Sequence, residues 1–466
     1  MKQSSDEPVV VIGDLKQLRS FTSRRDFLRL VAMGGALVFS GGLVSACEDS
    51  SNTGGLTGPG TGATLTIDFS RGDAALLQFL YLLERLEADF YGRVVANYSS
   101  SDFTAADQLV LTDIANHEAV HRDVLGALLG ADAGLQLTPL FGSLTFRVRA
   151  NTLAAARDLE DLVVAAYLGV ASSFTSAANL AIVAKLASVD ARHSAAIRDL
   201  LSALSSTFAP AAFESPLAPD AVATDVQPVI EEKLAFPTEL LSLGSAGPAA
   251  NSQTAADVIA ALQTCLLVAQ LQSDFYQRAL AVSGLIPSVA VTVFTTTSSH
   301  EGSHVASLQT LIAARGGVPR SQPVFDYTAK GSLPGFAFLS TQYTTFAMIA
   351  QAFEDLGVRT WKGQLAVLSQ DSTAFSAALS MHAVQARHAS EVRRVRGKKG
   401  WVTSNNRDDL PTFMQAVYDG EDNTQQGSVN ALTYATSIGG STTATEAFDE
   451  ALTTAQTMAF LAFFLP

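Results

Sequence analysis

The stretch His117-Glu118-Ala119-Val120-His121 decides the fold of this 466-residue chain, because an acid three residues before a histidine recurs along it. Asp190-Ala191-Arg192-His193 repeats the spacing in the first half of the chain. Glu301-Gly302-Ser303-His304 and Gln385-Ala386-Arg387-His388 repeat it in the second, with an amide in place of the last acid. On a helix, positions i and i+3 share a face, so a carboxylate and an imidazole at that spacing can point at one metal ion. Two such helices, with single Glu residues from two more, form the dinuclear carboxylate site of a four-helix bundle.

Other strings recur in the same order. Leu86-Glu87-Ala88-Asp89-Phe90-Tyr91 matches Leu271-Gln272-Ser273-Asp274-Phe275-Tyr276. Leu159-Glu160-Asp161-Leu162 matches Phe353-Glu354-Asp355-Leu356. Glu118 and Glu301 are 183 residues apart, and His193 and His388 are 195 apart. Repeats in constant order with small drift predict two copies of one domain. From about Thr66 the text is Ala/Leu-rich with helical periodicity, so the expected fold is all-α, two tandem four-helix bundles. In the first, helices are expected over Asp73–Tyr98, Thr104–Leu129, Thr152–Ser173 and Ala177–Leu204. The long connection from Gly130 to Asn151, holding Pro139 and Gly142, reads as a crossover.

Composition bounds the function. Hydrophobic residues make up 48% and charged residues 16%, and the net charge is −14, which gives no basic footprint for nucleic acid. Of the two cysteines, Cys265 sits in the apolar run Leu262-Gln263-Thr264-Cys265-Leu266-Leu267 and reads as a buried, inert thiol. There is no Cys-x-x-Cys-His haem motif, no phosphate loop and no dinucleotide fingerprint.

The N-terminus reads as a leader. Ser23-Arg24-Arg25-Asp26-Phe27-Leu28-Arg29 precedes a Gly-containing apolar run that ends Val44-Ser45-Ala46-Cys47. The run is shorter than the ~20 apolar residues of a spanning helix, which favours a cleaved signal over an uncleaved anchor. Arg24 and Arg25 resemble the twin-arginine export signal, and the residues up to Cys47 resemble a lipoprotein cleavage site. That resemblance implies a lipidated Cys47, export in a folded state and a periplasmic or cell-surface lipoprotein held on a membrane. Residues 1–46 carry six Lys/Arg against four Asp/Glu, so their removal leaves −16. The expected organisation is a signal peptide over 1–46, a tether over 47–65, a first bundle over 66–207 and a linker over 208–253. A second bundle follows over 254–400, with a C-terminal extension over 401–466 packed on it, its apolar end being Met458–Leu465.

In the first bundle, Glu84 lies on a stripe with Leu76, Leu80 and Leu83, where a carboxylate is costly unless paired or metal-bound. The candidate ligands are therefore Glu84, Glu118, His121, Glu160, Asp190 and His193. Glu87, Tyr91 and Tyr167 are candidates for additional ligands or outer partners, and His117 for an outer or surface position. Asp190 is one methylene shorter than the usual Glu, so its reach to two metals is in question. Hard carboxylates with two imidazoles suit Fe or Mn, and Zn can also bind. In the second bundle Glu84 becomes Ala269, Glu87 becomes Gln272 and Asp190 becomes Gln385. Glu301, His304, Glu354 and His388 remain, a degenerate set for one metal or none.

These strings, Leu83–Tyr91, His117–His121, Glu160–Val164 and Asp190–His193, resemble those of the exported ferritin-like family that often carries a twin-arginine leader. The resemblance covers the chain after the tether and implies two tandem ferritin-like domains. It leaves the reaction open. One expectation is redox chemistry with O2 or peroxide at an iron or manganese pair, including ferroxidase or peroxide scavenging. The other is a metal-free or structural-metal scaffold or stress-protective protein of the cell envelope. Homo-oligomerisation is open as well.

Overall fold

The computed structural model describes residues 62–142, 144–238 and 254–466. The leader, with Arg24 and Arg25, and the lipidation candidate Cys47 lie outside the described residues. The fold is all-α with two bundles, as expected. The first consists of α1 (Asp73–Ala96), α2 (Ala105–Leu129), α3 (Arg149–Ala171) and α4 (Ala177–Leu201). A short helix α5 (Pro219–Val226) lies in the linker. The second bundle consists of α6 (Ala255–Leu280), α7 (Val291–Ala314), α8 (Tyr343–Leu368) and α9 (Ser372–Val395).

Local chemistry sets the helix ends. Thr104 and Asp107 form a reciprocal capping box at the start of α2, and Thr254 and Asp257 form the same box at α6. Gly130 ends α2 at φ +56, a conformation that glycine adopts without strain. Helix α3 starts at Arg149, a turn before the expected Thr152; Asp102 Oδ1 accepts from Arg149 N–H there, and Asp107 holds the guanidinium at 2.7 Å. The last residues of the expected tether also differ: Thr64–Thr66 forms a strand, β1, paired in parallel with β2 (Lys233–Ala235) of the linker. Helix α6 is long and apolar enough to cross a membrane, but 67% of its most apolar window is buried, so here it is a core helix. Cys265 lies on it, fully buried, with burial pushing its thiol up.

Within each bundle the first two helices pair and the last two pair. The bundles meet through α4 and α9. Two buried arginines cross that interface in opposite directions. Arg192 reaches Asp355 at 3.1 Å, and Arg387 reaches Asp161 at 3.0 Å. Each occupies the same place in its repeat, before the last histidine, and each partner follows the Glu of the third helix. A buried ion pair of this kind fixes register more than it adds stability, but losing one partner strands a charge.

The C-terminal extension differs from expectation. Residues 454–465, including α12 (Thr454–Leu461), pack on α8 and α6 of the second bundle, driven by Phe460, Leu461 and Phe464. The preceding stretch, with α10 (Leu432–Ala435) and α11 (Ser441–Glu446), lies instead on α2 of the first bundle. Local apolar patterning marks the first contact, whereas the second is made by Ala431, Ala435, Ala444 and Phe448 with Leu432 and Tyr434, apolar residues scattered through Ala/Thr-rich text.

Arg387 also pairs with Glu214 at 2.7 Å, and replacing it by Met removes the cation that Asp161 and Glu214 share, leaving Asp161 its pair with Arg198. The expected cost is about 3 kcal/mol, read from urea denaturation midpoints. A loss below about 1 kcal/mol would show that the interface charges are screened like surface pairs.

Candidate metal centre

Each helix of the first bundle sends acids or histidines inward, and all of these side chains are fully buried. Helix α1 contributes Glu84 and Glu87, α2 Glu118 and His121, α3 Glu160, and α4 Asp190 and His193. Ligand atoms of Glu84, Glu118, His121 and Asp190 lie within 4.8 Å of one another, and so do those of Glu118, Glu160, Asp190 and His193. Glu118 and Asp190 belong to both groups, so the shorter acid still lies within reach of each. His121 Nδ1 stands 3.4 Å from Glu84 Oε2, from Glu118 Oε2 and from Asp190 Oδ1. These gaps are long for hydrogen bonds, but ligands ~2.1 Å from one ion at tetrahedral angles stand roughly 3.4 Å apart. His193 Nδ1 lies 2.7 Å from Glu118 Oε1 and 3.7 Å from Glu160 Oε1.

Ten ligand-capable atoms of these seven residues lack a hydrogen-bond partner among the described residues, including both oxygens of Glu87, Glu118 and Asp190. Buried polar atoms are otherwise almost always satisfied, so a convergent set of orphans is a fit test for a cation. The electrostatics agree. Burial, then the charge of Glu118, pushes the Glu84 carboxyl up to about 7. Burial and neighbouring carboxylates push Glu87, Glu160 and Asp190 well above the usual carboxylate range. Burial works against the charged form of His121, but Glu118 and Glu84 outweigh it and hold its titration high. Burial and the nearby His117 hold His193 low. The residues suit a hard divalent cation bound by oxygen and imidazole.

Outer partners orient these groups. Tyr91 donates to Glu160 Oε1 at 2.6 Å, and Tyr167 donates to Glu84 Oε1. Tyr91 and Tyr167 therefore hydrogen-bond candidate ligands from one helix to another, rather than only filling the core. His117 is buried and not on the surface. Its Nδ1 lies 3.0 Å from His193 Nε2, and its Nε2 lies 3.4 Å from Glu446 Oε2. His121 Nε2 donates to the Ala447 carbonyl at 2.8 Å. The Trp401 ring stands edge-on to His117 and His193, with centroids 5.1 and 5.6 Å away. Sequence reasoning missed Trp401, Glu446 and Ala447. The available signal was a further repeated string, Ala212-Phe213-Glu214 and Ala447-Phe448-Asp449.

The second bundle brings Glu301, Glu354 and His388 within 4.8 Å, with His304 beside Glu301 at 3.4 Å. Here the charges balance internally. Gln385 donates to Glu301 Oε1 at 2.6 Å and accepts from Gln272 at 3.0 Å. His388 Nδ1 lies 3.0 Å from Glu301 Oε1, and Tyr276 donates to Glu354 at 2.7 Å. Despite burial, His304 and these hydrogen bonds hold Glu301 down to about 2, while Glu301 and Glu354 hold His388 up to about 9. The amide pair sits where the absent Cβ of Gly357 would lie, 2.4 Å from Gln385 Oε1. Trp361 stands at the repeat position of Tyr167, opposite the loss of Glu84 to Ala269.

A family model of the ferritin-like domain matches the chain twice, over residues 72–203 and 257–398. The chain therefore belongs to the ferritin-like family, with two tandem domains. No curated protein and no solved structure matches it.

Because Glu84 titrates at about 7 in the folded chain against an ordinary 4.5, folding of the metal-free protein favours its protonated form. Its contribution therefore lowers stability as pH rises through that window, and the effect levels off above it. Urea midpoints in chelator at about pH 5 and about pH 8 should fall with pH, and less so in Glu84→Gln. Equal slopes for both proteins would show that Glu84 is not held in this environment.

Proposed function

We propose that the first bundle is a dinuclear iron or manganese centre with redox function, in a protein exported and tethered to a membrane by a lipidated Cys47. The observation that carries the metal reading is the convergence of unsatisfied carboxylate and imidazole atoms from all four helices. Glu84 and His121 would serve one ion, Glu160 and His193 the other, and Glu118 and Asp190 both. Glu87, with both oxygens unpartnered, is a further ligand or a reserve of negative charge. Bound there, iron or manganese supplies one-electron chemistry towards O2 or a peroxide.

The chain's own contribution is to bind, orient and exclude water. Tyr91 and Tyr167 hold one oxygen of Glu160 and of Glu84, leaving the other oxygen of each free to ligate. Both histidines present Nδ1 inward because Nε2 is engaged elsewhere. The full burial of these side chains keeps solvent off the centre. The second bundle, whose acids and histidine neutralise one another, fits a structural role. A closed storage cage fits poorly with a fused second bundle and a membrane tether. The twin arginines Arg24 and Arg25 support export of the folded protein, with its metal already in place.

Elemental mass spectrometry of the mature protein after anaerobic Fe(II) or Mn(II) loading should find about two ions per chain, lost in Glu118→Ala/His121→Ala. Absence of metal from both proteins would leave a metal-free scaffold on a ferritin-like frame. Separately, Cys47→Ser should move the protein from the membrane fraction to the soluble one. Retention in the membrane fraction would contradict the lipid anchor.

A further inference from the structure

The segments that follow the two bundles repeat each other, and each crosses to the other bundle. After α4 the chain runs over the second centre, where His304 Nε2 donates to the Ala212 carbonyl at 2.7 Å and Phe213 stands edge-on to the His304 ring. It then returns, and Leu217 N donates to Ala165 O on α3 at 2.9 Å. After α9 the chain runs over the first centre, where His121 Nε2 donates to the Ala447 carbonyl and Phe448 stands edge-on to the His121 ring. It returns to its own bundle, and Leu452 N donates to Arg359 O on α8 at 3.0 Å.

The return points are equivalent. Gly169 and Gly363 leave room for the crossing backbone, since a Cβ would stand 1.8 Å from Leu217 O and 1.9 Å from Leu452 O. Glu214 pairs with Arg387 at 2.7 Å, and Asp449 pairs with Arg192 at 2.8 Å. Phe208 lies against His388 where Trp401 lies against His193. The caps are thus exchanged, each repeat closing its neighbour's centre.

One position breaks the symmetry. The cap over the acid-rich first centre carries Glu446 before its Ala-Phe pair, and the cap over the depleted second centre carries Ala211. Glu446 is buried and held by Lys399 at 2.9 Å and by Thr403. It faces His117 Nε2, and His117 Nδ1 faces His193 Nε2. In the second bundle His300 makes the same contact to His388 at 3.0 Å, but no acid stands at the cap position behind it.

We propose that Glu446, delivered by the second repeat, is a positioning residue for the first metal centre. Glu446 accepts a hydrogen bond from His117 Nε2–H, His117 Nδ1 accepts one from His193 Nε2–H, and neutral His193 so held presents an unprotonated Nδ1 to the metal site. The backbone carbonyl of Ala447 sets His121 in the same way. Outer hydrogen bonds of this kind fix the tautomer and orientation of a ligating imidazole. The second bundle is thereby kept for the cap it anchors, whether or not it binds an ion. The inference rests on the metal reading of the first bundle.

The test uses the full mature chain and Zn(II), competed against a chromophoric chelator. The signal followed is the binding that Glu118→Ala/His121→Ala abolishes. Glu446→Ala should weaken that binding by about 10- to 100-fold, and Glu446→Gln, whose amide oxygen can still accept from His117, should recover most of it. His117→Leu should lose as much as Glu446→Ala, and the double variant no more than either, because both act through His193. Phe213→Ala, on the other cap, should leave this binding unchanged. If Glu446→Ala melts below the assay temperature, His117→Leu against Glu446→Gln carries the same comparison. Wild-type affinity in folded Glu446→Ala or in His117→Leu would overturn the role of Glu446 with the metal reading intact. Additive losses in the double variant would also overturn it. Zn(II) binding that is absent, or equal in wild type and Glu118→Ala/His121→Ala, would remove the metal reading and this inference with it.

Discussion

Five carboxylates buried against one another in the first bundle are the constraint around which this protein is arranged. Glu84, Glu87, Glu118, Glu160 and Asp190 have no exposure to water, and their mutual repulsion cannot be relieved by solvent. Only two histidines share the space. Such a cluster persists in a packed core if protons or cations neutralise it and if the surrounding helices do not part. The second bundle shows the same frame with that constraint removed. Ala269, Gln272 and Gln385 replace three of the acids, and Gln272 and Gln385 pair with each other. What remains there, Glu301 and Glu354 with His304 and His388, is nearly balanced. The two centres differ in charge before they differ in shape.

A strained centre needs support from outside its own bundle, and the packing of the two repeats supplies it. Arg192 and Arg387 cross the interface reciprocally, so neither bundle can rotate without breaking a buried pair. The exchanged caps act in the same direction, because each is tied back to its own third helix at a glycine that admits the backbone. The resulting molecule is a covalently fused pseudo-dimer. In it the buried acids are concentrated in one half, and each half covers the other's centre with its cap.

Much of this was legible in the sequence because it is written in short-range pattern. The i, i+3 spacing of Glu118 and His121, the Thr104 and Thr254 caps and the helical stripe holding Glu84 each lie within one or two turns. They locate the helices closely and place the acids and histidines on inward faces. The unforeseen parts depend on contacts between distant residues. His121 meets Ala447 across 326 positions and His117 meets Glu446 across 329. Nothing in the Ala/Thr-rich text around 441–448 has the periodicity of a core element. The apolar end at 458–465 drew the whole extension towards the second bundle, where that end and residues 402–418 do pack, while residues 429–448 lie on the first. Helical stripe reasoning placed Tyr91 and Tyr167 inside, but the choice between packing and hydrogen bonding depended on which helix stood opposite.

The account turns on whether metal occupies the space on either side of Glu118 and Asp190. Anomalous X-ray diffraction at the iron or manganese absorption edge, on crystals of the metal-loaded full chain, tests this most directly. The account predicts two anomalous peaks in the first bundle, one beside Glu84 and His121 and the other beside Glu160 and His193, with Glu118 and Asp190 between them. A loaded crystal with no peak in the first bundle, or with peaks only at the second bundle, would contradict it.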